Sequence, residues 1–404
     1  MGRFIVVVLD SLGIGAMEDV SGLRPRDVRA NTCKNILKEV PDLYLPQLEG
    51  LGIMNTLGEN ISRMKQVENP HYGVADLAHM GGDTFWGHQE IMGTLPKKPW
   101  HEPFQFVIDK VEKHLLKIGY EVERFGNSGK KILLVNKFMT IGDNLEGELG
   151  QIYNVTGTLQ KVAFEDIVRL GKEVRKVVTV SRVVAFGGMA ATIESIKAAY
   201  RTKLEDYAGI DAPLSGVYKE DYQVVHLGYG VNPEVQVPTI LGKKGISVVL
   251  LGKVADIVEN GYGQSIPGVD TETLFNKTVE KIKEIDSGFI CLNIQETDLA
   301  GHAQDVNRYA NRLLISDEGL KKIRAELVEG DILIVMADHG NDPTIGHSQH
   351  TREKVPVLID APGVKKVYIG HRSTLADVGA TICDFFEVSS PESGTSFLAD
   401  LRIK

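Results

Sequence analysis

The chain has 404 residues, of which 43% are hydrophobic and 25% are charged, and its formal net charge is −9. This composition is ordinary for a globular protein with a large core, and the length gives room for two or three domains. The acidic balance, without any basic run, argues against a nucleic-acid or anionic-membrane partner. The N-terminal apolar run is too short for a signal sequence, and no run approaches the roughly 18 apolar residues of a membrane helix. We therefore expect a cytoplasmic protein.

The three cysteines, Cys33, Cys291 and Cys383, are far apart in the chain. Their odd number and the lack of a CxxC spacing indicate neither a disulfide framework nor a zinc ribbon. Cys291 lies inside an apolar run, where a small buried thiol is the expected role.

The first predicted element is a buried strand over residues 4–9, which ends at Asp10. A continuous apolar, β-branched run of this kind is typical of a buried parallel strand. The loop that follows, with Gly13 and Gly15, lacks the third glycine of a dinucleotide fingerprint, so we exclude such a site. Asp10 is then either a ligand at a strand end or the N-cap of the next helix.

A second segment of interest is Gly82-Asp83-Thr84-Phe85-Trp86-Gly87-His88-Gln89-Glu90. Asp83 or Thr84 is expected near the start of a helix that runs through Glu90. A helix N-terminus offers unpaired N–H groups and a positive dipole end, which together favour an anion. Thr84 could accept a phosphoryl group there, or it could be an ordinary N-cap; the segment alone favours the cap.

The texture of the sequence changes between residues 97 and 233, where short segments replace the alternation of strands and helices. Helices are predicted over residues 109–118 and 164–174, and a β-branched strand over residues 177–186. We expect an inserted α+β domain at 97–233. It interrupts an α/β core formed by residues 1–96 and 234–404.

Strand–helix alternation returns in the last part of the chain. Strands are predicted over residues 246–251, 289–294, 332–336 and 356–359, with helices over 274–285 and 306–327 and a last helix after Ser373, its expected N-cap. The third of these strands ends in Asp338-His339, and His350 follows. Asp298 and His302 come just beyond the second.

Asp10, Asp298 and Asp338 thus follow separate predicted parallel strands, whose carboxyl ends meet at one rim of a sheet. Carboxylates and imidazoles crowded there repel one another unless cations are present, and both are common ligands of divalent ions. Two such ions could clamp both oxygens of a phosphoryl displacement. They could also activate a hydroxyl such as that of Thr84. For each ligand taken alone, a cap or a hydrogen-bonded surface group remains the alternative.

These motifs resemble the alkaline phosphatase superfamily and, within it, the phosphopentomutase branch. The resemblance covers about two-thirds of the chain and rests on Asp10-Ser11-x-Gly13-x-Gly15, the segment around Thr84, Ala337-Asp338-His339-Gly340-Asn341-Asp342-Pro343, His350-Thr351-Arg352-Glu353 and Gly394-Thr395-Ser396-Phe397-Leu398. It implies an alkaline-phosphatase-like α/β core, with a parallel-rich sheet between helices and an inserted mobile α+β cap that supplies substrate contacts.

The resemblance also implies roles for individual residues. Thr84 would be the phosphorylated nucleophile. One ion would be bound by Asp10, Thr84, Asp338 and His339, and the other by Asp298, His302 and His350, with Mn²⁺ the expected metal. Lys253 and Arg201 would contact the substrate.

The sequence departs from that family mainly in the inserted domain. The stretch at residues 154–160 offers no aspartate for the sugar, and Phe186 stands where an arginine is expected. A lost guanidinium removes charged hydrogen bonds of about 1.5–3 kcal/mol each. The Asp298-to-His302 spacing is one residue shorter than in the family and closer to that of cofactor-independent phosphoglycerate mutase.

We interpret the chain as a phosphomutase with two divalent ions, acting on a small phosphorylated sugar through phospho-Thr84. One alternative is a metal-dependent phosphatase or phosphodiesterase on the same core, which would release inorganic phosphate without forming an isomer. The other is a non-catalytic, metal-dependent binding protein, which the altered cap permits.

Overall fold

The computed structural model describes residues 2–127, 129–147, 149–364 and 368–401. Its strands, in chain order, are β1 (Arg3–Leu9), β2 (Tyr72–Ala75), β3 (Val122–Phe125), β4 (Ile132–Val135), β5 (Met139–Asp143), β6 (Ile152–Thr158), β7 (Arg182–Gly188), β8 (Tyr200–Lys203), β9 (Tyr207–Ile210), β10 (Gln223–Gly228), β11 (Ser247–Leu251), β12 (Gln264–Ile266), β13 (Gly288–Ile294), β14 (Ile332–Met336), β15 (Val355–Asp360) and β16 (Tyr368–Arg372).

The helices are α1 (Val20–Leu23), α2 (Thr32–Glu39), α3 (Pro46–Leu51), α4 (Ile53–Leu57), α5 (Thr84–Ile91), α6 (Phe104–Lys117), α7 (Phe164–Arg175), α8 (Ile193–Ala198), α9 (Ala212–Ser215), α10 (Val237–Gly242), α11 (Val254–Ile257), α12 (Thr271–Glu284), α13 (Glu296–His302), α14 (Val306–Ala325) and α15 (Ala376–Phe385). Short 3₁₀ turns cover Pro25–Asp27, Pro233–Val235 and Leu398–Leu401. No helix among the described residues is long and apolar enough to span a membrane.

The chain divides into two compact units. The first comprises Met1–Pro96 and Asn232–Lys404, and the second comprises Lys97–Val231. The second unit is therefore an insertion, and its C-terminal end lies two residues before the predicted boundary at 233.

The first unit is built on one sheet with the strand order β12-β11-β13-β1-β14-β15-β2-β16. Strand β1 pairs in parallel with β13 on one side and with β14 on the other. All residues of β1, β13 and β14 are buried, as their unbroken apolar pattern predicts. Strand β15 is antiparallel to both of its neighbours. The predicted parallel-rich α/β core is confirmed.

The second unit has its own sheet, in the order β10-β7-β6-β5-β4-β3. Its pairs are antiparallel except for β6 and β7, which are parallel and joined through α7. Side chains of α6 and α7 pack with this sheet in a separate apolar core. This is the α+β architecture expected of the insertion.

Three local predictions differ from the structure. The helix predicted over residues 109–118 is α6, which begins five residues earlier, at Phe104. Helix α15 begins at Ala376 after Leu375, so Ser373 is not its N-cap; the Thr374 hydroxyl instead accepts a hydrogen bond from the Ala376 N–H. The strand predicted over residues 177–186 begins only at Arg182, where pairing with β6 and β10 starts. β-Branched residues favour a strand, but they do not determine the residue at which a neighbouring strand becomes available for pairing. The predicted burial of Cys291 is confirmed, and all three cysteines are free thiols.

Candidate metal centre

The carboxyl ends of β1, β13 and β14 bring three acidic side chains to one rim of the sheet. Leu9 pairs with Ile294, and Val8 pairs with Met336, so the three strands end at nearly the same level. Asp10 and Asp338 follow β1 and β14 and are fully buried, and Asp298, in the first turns of α13, is 3% exposed. Parallel pairing of three apolar strands is thus what collects these acids.

The first group of candidate ligands is Asp10, Asp338 and His339. His339 Nε2 lies 3.3 Å from Asp10 Oδ1 and 3.4 Å from Asp338 Oδ2. All three atoms are buried and have no hydrogen-bond partner among the residues described. Metal–ligand bonds of about 2.0–2.1 Å in a tetrahedral arrangement place neighbouring ligand atoms about 3.4 Å apart. Since buried polar atoms are nearly always satisfied, these atoms fit a divalent cation.

The second group is Asp298, His302 and His350. His302 Nε2 lies 3.3 Å from Asp298 Oδ2, His350 Nε2 lies 3.3 Å from Asp298 Oδ1, and the two imidazole nitrogens are 3.0 Å apart. His302 Nδ1 lies 2.6 Å from the Ser348 carbonyl oxygen, so Nε2 is the nitrogen that faces Asp298 and His350. These residues also fit a cation, at a more solvent-exposed position, because the His302 side chain is 41% exposed.

His339 lies between the two groups. Its ring centroid is 4.1 Å from that of His350, and its ligand atom is also within 4.8 Å of those of Asp298 and His350. The sequence places His339 with the first ion only. The geometry also brings it within reach of the second.

Thr84 is the first residue of α5, and the N-cap is Asp83, whose carboxylate accepts a hydrogen bond from the Trp86 N–H. The alternative that Thr84 caps the helix is therefore wrong. Thr84 Oγ1 lies 3.5 Å from His88 Nδ1, and that nitrogen lies 3.2 Å from Asp338 Oδ2. The distance from the Thr84 hydroxyl to the Asp338 carboxylate cannot exceed the sum of these two values.

Helix α5 approaches the end of β14 closely because Gly87 has no side chain. A β-carbon at Gly87 would lie 2.7 Å from the backbone oxygen of Asp338, closer than real β-carbons come to such an atom. The glycine in the segment after Thr84 thus has a packing role: it sets how near the hydroxyl can come to the acidic rim.

Lys253 fills the space beside the carboxylates. Its Nζ lies 3.0 Å from Asp10 Oδ2 and 3.5 Å from Asp298 Oδ2. Burial opposes the charge of this ammonium group, but Asp10 and Asp298 outweigh burial and raise the pKa of Lys253. The same acids thus hold in place the cationic side chain for which the family resemblance implies a substrate contact.

The imidazoles respond to the same field. Burial opposes the charge of His339, but Asp338 and Asp10 outweigh it and raise the pKa of His339 to about 10. Burial tends to raise the pKa of Asp298, but hydrogen bonds from His302 and His350 bring the pKa of this carboxyl well below its usual value. Asp298 is thus ionised, and the ammonium group of Lys253 and the imidazolium group of His339 supply positive charge near it.

The structure brings together Thr84 and all the predicted metal ligands, with Lys253 beside them. Arg201 lies on β8 in the second unit, where its guanidinium donates to the Ala198 and Tyr200 carbonyls. Its predicted contact with substrate stays a prediction. His347, close to His350 in the chain, is paired instead with Asp27, 3.2 Å away.

Three polar residues at this site were not predicted from the sequence as site residues: His88, Asn293 and Asn341. Asn341 donates to Asp298 Oδ1 over 2.9 Å, and Asn293 donates to Asp10 Oδ2 over 3.1 Å. A signal was available for His88, which is four residues after Thr84 and so on the same face of a helix. Asn293 carried a weaker one, as a polar residue inside an otherwise apolar strand.

Known proteins resemble this chain over its full length. A phosphopentomutase of Clostridioides difficile is 30% identical and covers 99% of this chain and 100% of its own. One from Alkaliphilus oremlandii is 31% identical and covers 98% of each chain. Among solved structures, the phosphoglycerate mutase of Leishmania mexicana has a TM-score of 0.50 at 13% identity and covers 98% of this chain and 97% of its own, which supports the fold.

A family model described as the metalloenzyme superfamily matches residues 2–390. The match includes every candidate metal ligand on both parts of the first unit, together with the whole insertion. The similarity to the two phosphopentomutases extends over nearly the whole chain and agrees with the superfamily match. It places the chain among the phosphomutases, a class of isomerases. The chain belongs to the metalloenzyme superfamily, in its phosphopentomutase-like branch.

Proposed function

We propose that the chain is a phosphomutase with two divalent ions that moves a phosphoryl group between positions of a small sugar phosphate, with Thr84 as the group that carries it. The observation that supports this most is the Thr84 hydroxyl. This hydroxyl lies at the start of α5 and does not cap the helix, because Asp83 is the N-cap. It lies 3.5 Å from His88 Nδ1, and that nitrogen lies 3.2 Å from Asp338 Oδ2. A helix N-terminus favours the negative charge of a phosphoryl group.

In this proposal the bond from phosphorus to a sugar oxygen breaks as a bond to Thr84 Oγ1 forms. The Thr84 hydroxyl gives up one proton and the departing sugar oxygen takes up one, so that the sugar leaves with a free hydroxyl. The reverse transfer delivers the phosphoryl group to a different oxygen of the sugar. Asp10, Asp338 and His339 would hold one ion, and Asp298, His302 and His350 the other. When bound, the ions would neutralise charge on the reacting oxygens and make the hydroxyl more acidic. Lys253 lies beside both groups and would contact the substrate phosphate.

The family resemblance implies Mn²⁺, and the carboxylate ligands suit this ion, so we propose Mn²⁺ as the metal. The relatives are phosphopentomutases, so a pentose phosphate is the first substrate class to test, and Arg201 is proposed to contact it. The departures at Phe186 and residues 154–160 make a different sugar phosphate the second class.

The test compares Thr84→Val, which removes only the hydroxyl, with Thr84→Ser, which keeps it. Purified enzyme with Mn²⁺ is incubated with a panel of sugar phosphates, and isomers, inorganic phosphate and the intact protein mass are followed. We expect one phosphate on the wild-type chain and on Thr84→Ser, isomer formation by both, and neither signal in Thr84→Val. Full isomer formation by Thr84→Val would contradict the nucleophile. Stoichiometric inorganic phosphate without isomer would make the enzyme a phosphatase.

A further inference from the structure

His88 is a buried imidazole between the hydroxyl of Thr84 and the acidic rim. It is fully buried. Its Nδ1 lies 2.8 Å from the Thr84 carbonyl oxygen, 3.2 Å from Asp338 Oδ2 and 3.5 Å from Thr84 Oγ1. Its Nε2 lies 3.0 Å from Asn293 Nδ2. One ring therefore contacts the proposed nucleophile, a proposed metal ligand and a buried amide on a different strand.

The buried amide of Asn293 fixes which ring nitrogen carries the hydrogen. Asn293 Nδ2 also lies 3.1 Å from Asp10 Oδ2, so its two hydrogens serve Asp10 and His88 Nε2. The reversed amide would set an oxygen acceptor against the Asp10 carboxylate, so the network selects the orientation with nitrogen toward it. Nε2 of His88 must then accept, and the ring hydrogen is on Nδ1.

A hydrogen on Nδ1 determines what His88 can do for Thr84. The nitrogen donates to the Thr84 carbonyl and cannot accept the proton of the Thr84 hydroxyl. His88 is therefore excluded as the base of this hydroxyl in the hydrogen-bonded network described. Its geometry is instead that of a bridge: the first turn of α5 is held to Asp10, at the end of β1, through Asn293 on β13.

We propose that His88 and Asn293 form a positioning pair that sets where the Thr84 hydroxyl stands relative to Asp10 and Asp338. This inference rests on the proposed function, because it takes Thr84 as the nucleophile and these acids as ligands. Outer hydrogen-bond partners of metal ligands typically contribute 10–100-fold to metal affinity or activity. A bridge that orients both the ligand and the nucleophile affects both quantities.

The experiment uses the full chain, four single variants and one double variant. Asn293→Asp keeps the shape of the side chain but removes the amide donor. His88→Asn keeps a donor near the Nδ1 position, and His88→Gln keeps an acceptor near the Nε2 position. Gln236→Glu is the matched control. It changes a buried amide of the first unit that donates to Gln89 and Thr94 rather than to a ligand.

Three quantities are measured: the Kd for Mn²⁺ by calorimetry, the rate of Thr84 phosphorylation at saturating Mn²⁺ by intact mass, and the ring ¹⁵N shifts of His88. We expect Asn293→Asp to raise the Kd about 10–100-fold, to slow phosphorylation at saturating metal, and to move the ring hydrogen to Nε2. Gln236→Glu should keep the wild-type Kd, phosphorylation rate and Nδ1–H ring.

Both His88 variants should lose affinity, since each keeps half of the bridge. Combining His88→Asn with Asn293→Asp should cost no more than the worse single change, because one broken link disconnects the whole bridge. Additive losses would overturn the pairing.

An Nε2–H ring in the wild-type protein, or wild-type metal binding and phosphorylation in Asn293→Asp, would overturn the proposal. If Asn293→Asp does not fold, His88→Gln decides by the Kd for Mn²⁺ and the phosphorylation rate, because each should be impaired if the pair positions Thr84 and Asp10. Failure of the proposed function is separate, because it appears as activity in Thr84→Val.

Discussion

Buried carboxylates occur in both units of the molecule, and their surroundings differ. In the first unit, Asp10 and Asp338 each have an oxygen without a hydrogen-bond partner among the described residues, and Lys253 and His339 lie beside them. In the second unit, the oxygens of buried Asp143 accept hydrogen bonds from the Phe104 and Ala208 N–H groups, each 2.9 Å away.

The pKa values follow this difference. Burial works against the charge of Asp338, but the positive charge of His339 outweighs it and lowers the pKa of this carboxyl. Burial raises the pKa of Asp143 to about 7, and the backbone hydrogen bonds offset it only in part. Burial of an acid does not by itself make a metal site. What distinguishes the rim is unsatisfied ligand atoms together with nearby positive charge.

The largest expected effect separates these two kinds of acid. Asp338→Asn removes a charged ligand from the first group, so the Kd for Mn²⁺ should rise by more than the roughly 10–100-fold that an outer partner contributes. Asp143→Asn should leave metal binding unchanged, because Asp143 has no part in either group. Metal content per chain after dialysis, together with calorimetry, measures both. Equal losses of Mn²⁺ affinity in the two variants would mean that the acids of the rim do not differ from Asp143 as metal ligands.

The sequence was sufficient for the rim itself. Apolar, β-branched runs predict parallel buried strands, and parallel strands end together, so Asp10, Asp298 and Asp338 could be placed side by side without a structure. The bridge through His88 and Asn293 could not be predicted in the same way. It depends on how α5 lies against the end of the sheet, where Gly87 lets the helix approach the Asp338 backbone closely.

The residues at which helices and strands begin could not always be predicted from the sequence. Ser373 has the composition of an N-cap, but the backbone turns into the helix only after Thr374, where Glu90 accepts from the Thr374 hydroxyl and the Leu375 N–H. A tertiary contact with α5 thus overrides a local preference.

The second prediction concerns stability. An ion that binds only the folded chain stabilises it by RT ln(1 + [L]/Kd), about 2.7 kcal/mol at a hundredfold excess over Kd. Mn²⁺ should slow hydrogen exchange in peptides around Asp10, Asp298 and Asp338, and chelation should reverse this. Peptides around Asp143 serve as the internal reference. Equal protection at Asp143 would mean that the metal acts on the whole chain rather than on the rim.

The third prediction is a pH dependence of metal binding. His339 must lose its proton to act as a ligand, and its pKa in the metal-free protein is about 10. Below that pH, binding releases a proton, so affinity should increase with pH by up to about tenfold per unit from this group. Calorimetry in buffers of different ionisation enthalpy counts the protons released. Uptake of protons, or affinity that falls between pH 7 and 9, would contradict the role of His339.

The smallest effect is on the stability of the second unit. The pKa of Asp143 is about 7 when folded, against a usual value of 3.8, so the folded chain holds a proton that the unfolded chain has lost between these pH values. Asp143 therefore contributes stability that is fully present below pH 3.8 and is lost as pH rises through 7.

Asp143→Asn is always neutral and should lack this loss. It keeps one acceptor oxygen for two N–H donors, so it begins less stable by about 1–3 kcal/mol, the cost of leaving a buried donor unsatisfied. The difference in unfolding free energy between wild type and variant should then narrow between pH 3.8 and about 7, by at most about 1.4 kcal/mol per pH unit for one proton. Urea unfolding, monitored through the hydrogen exchange of peptides from α6 and β9, measures this difference in unfolding free energy. If the difference in unfolding free energy between wild type and variant widens as pH rises, Asp143 is an ionised carboxylate stabilised by nearby positive charge, like those of the rim.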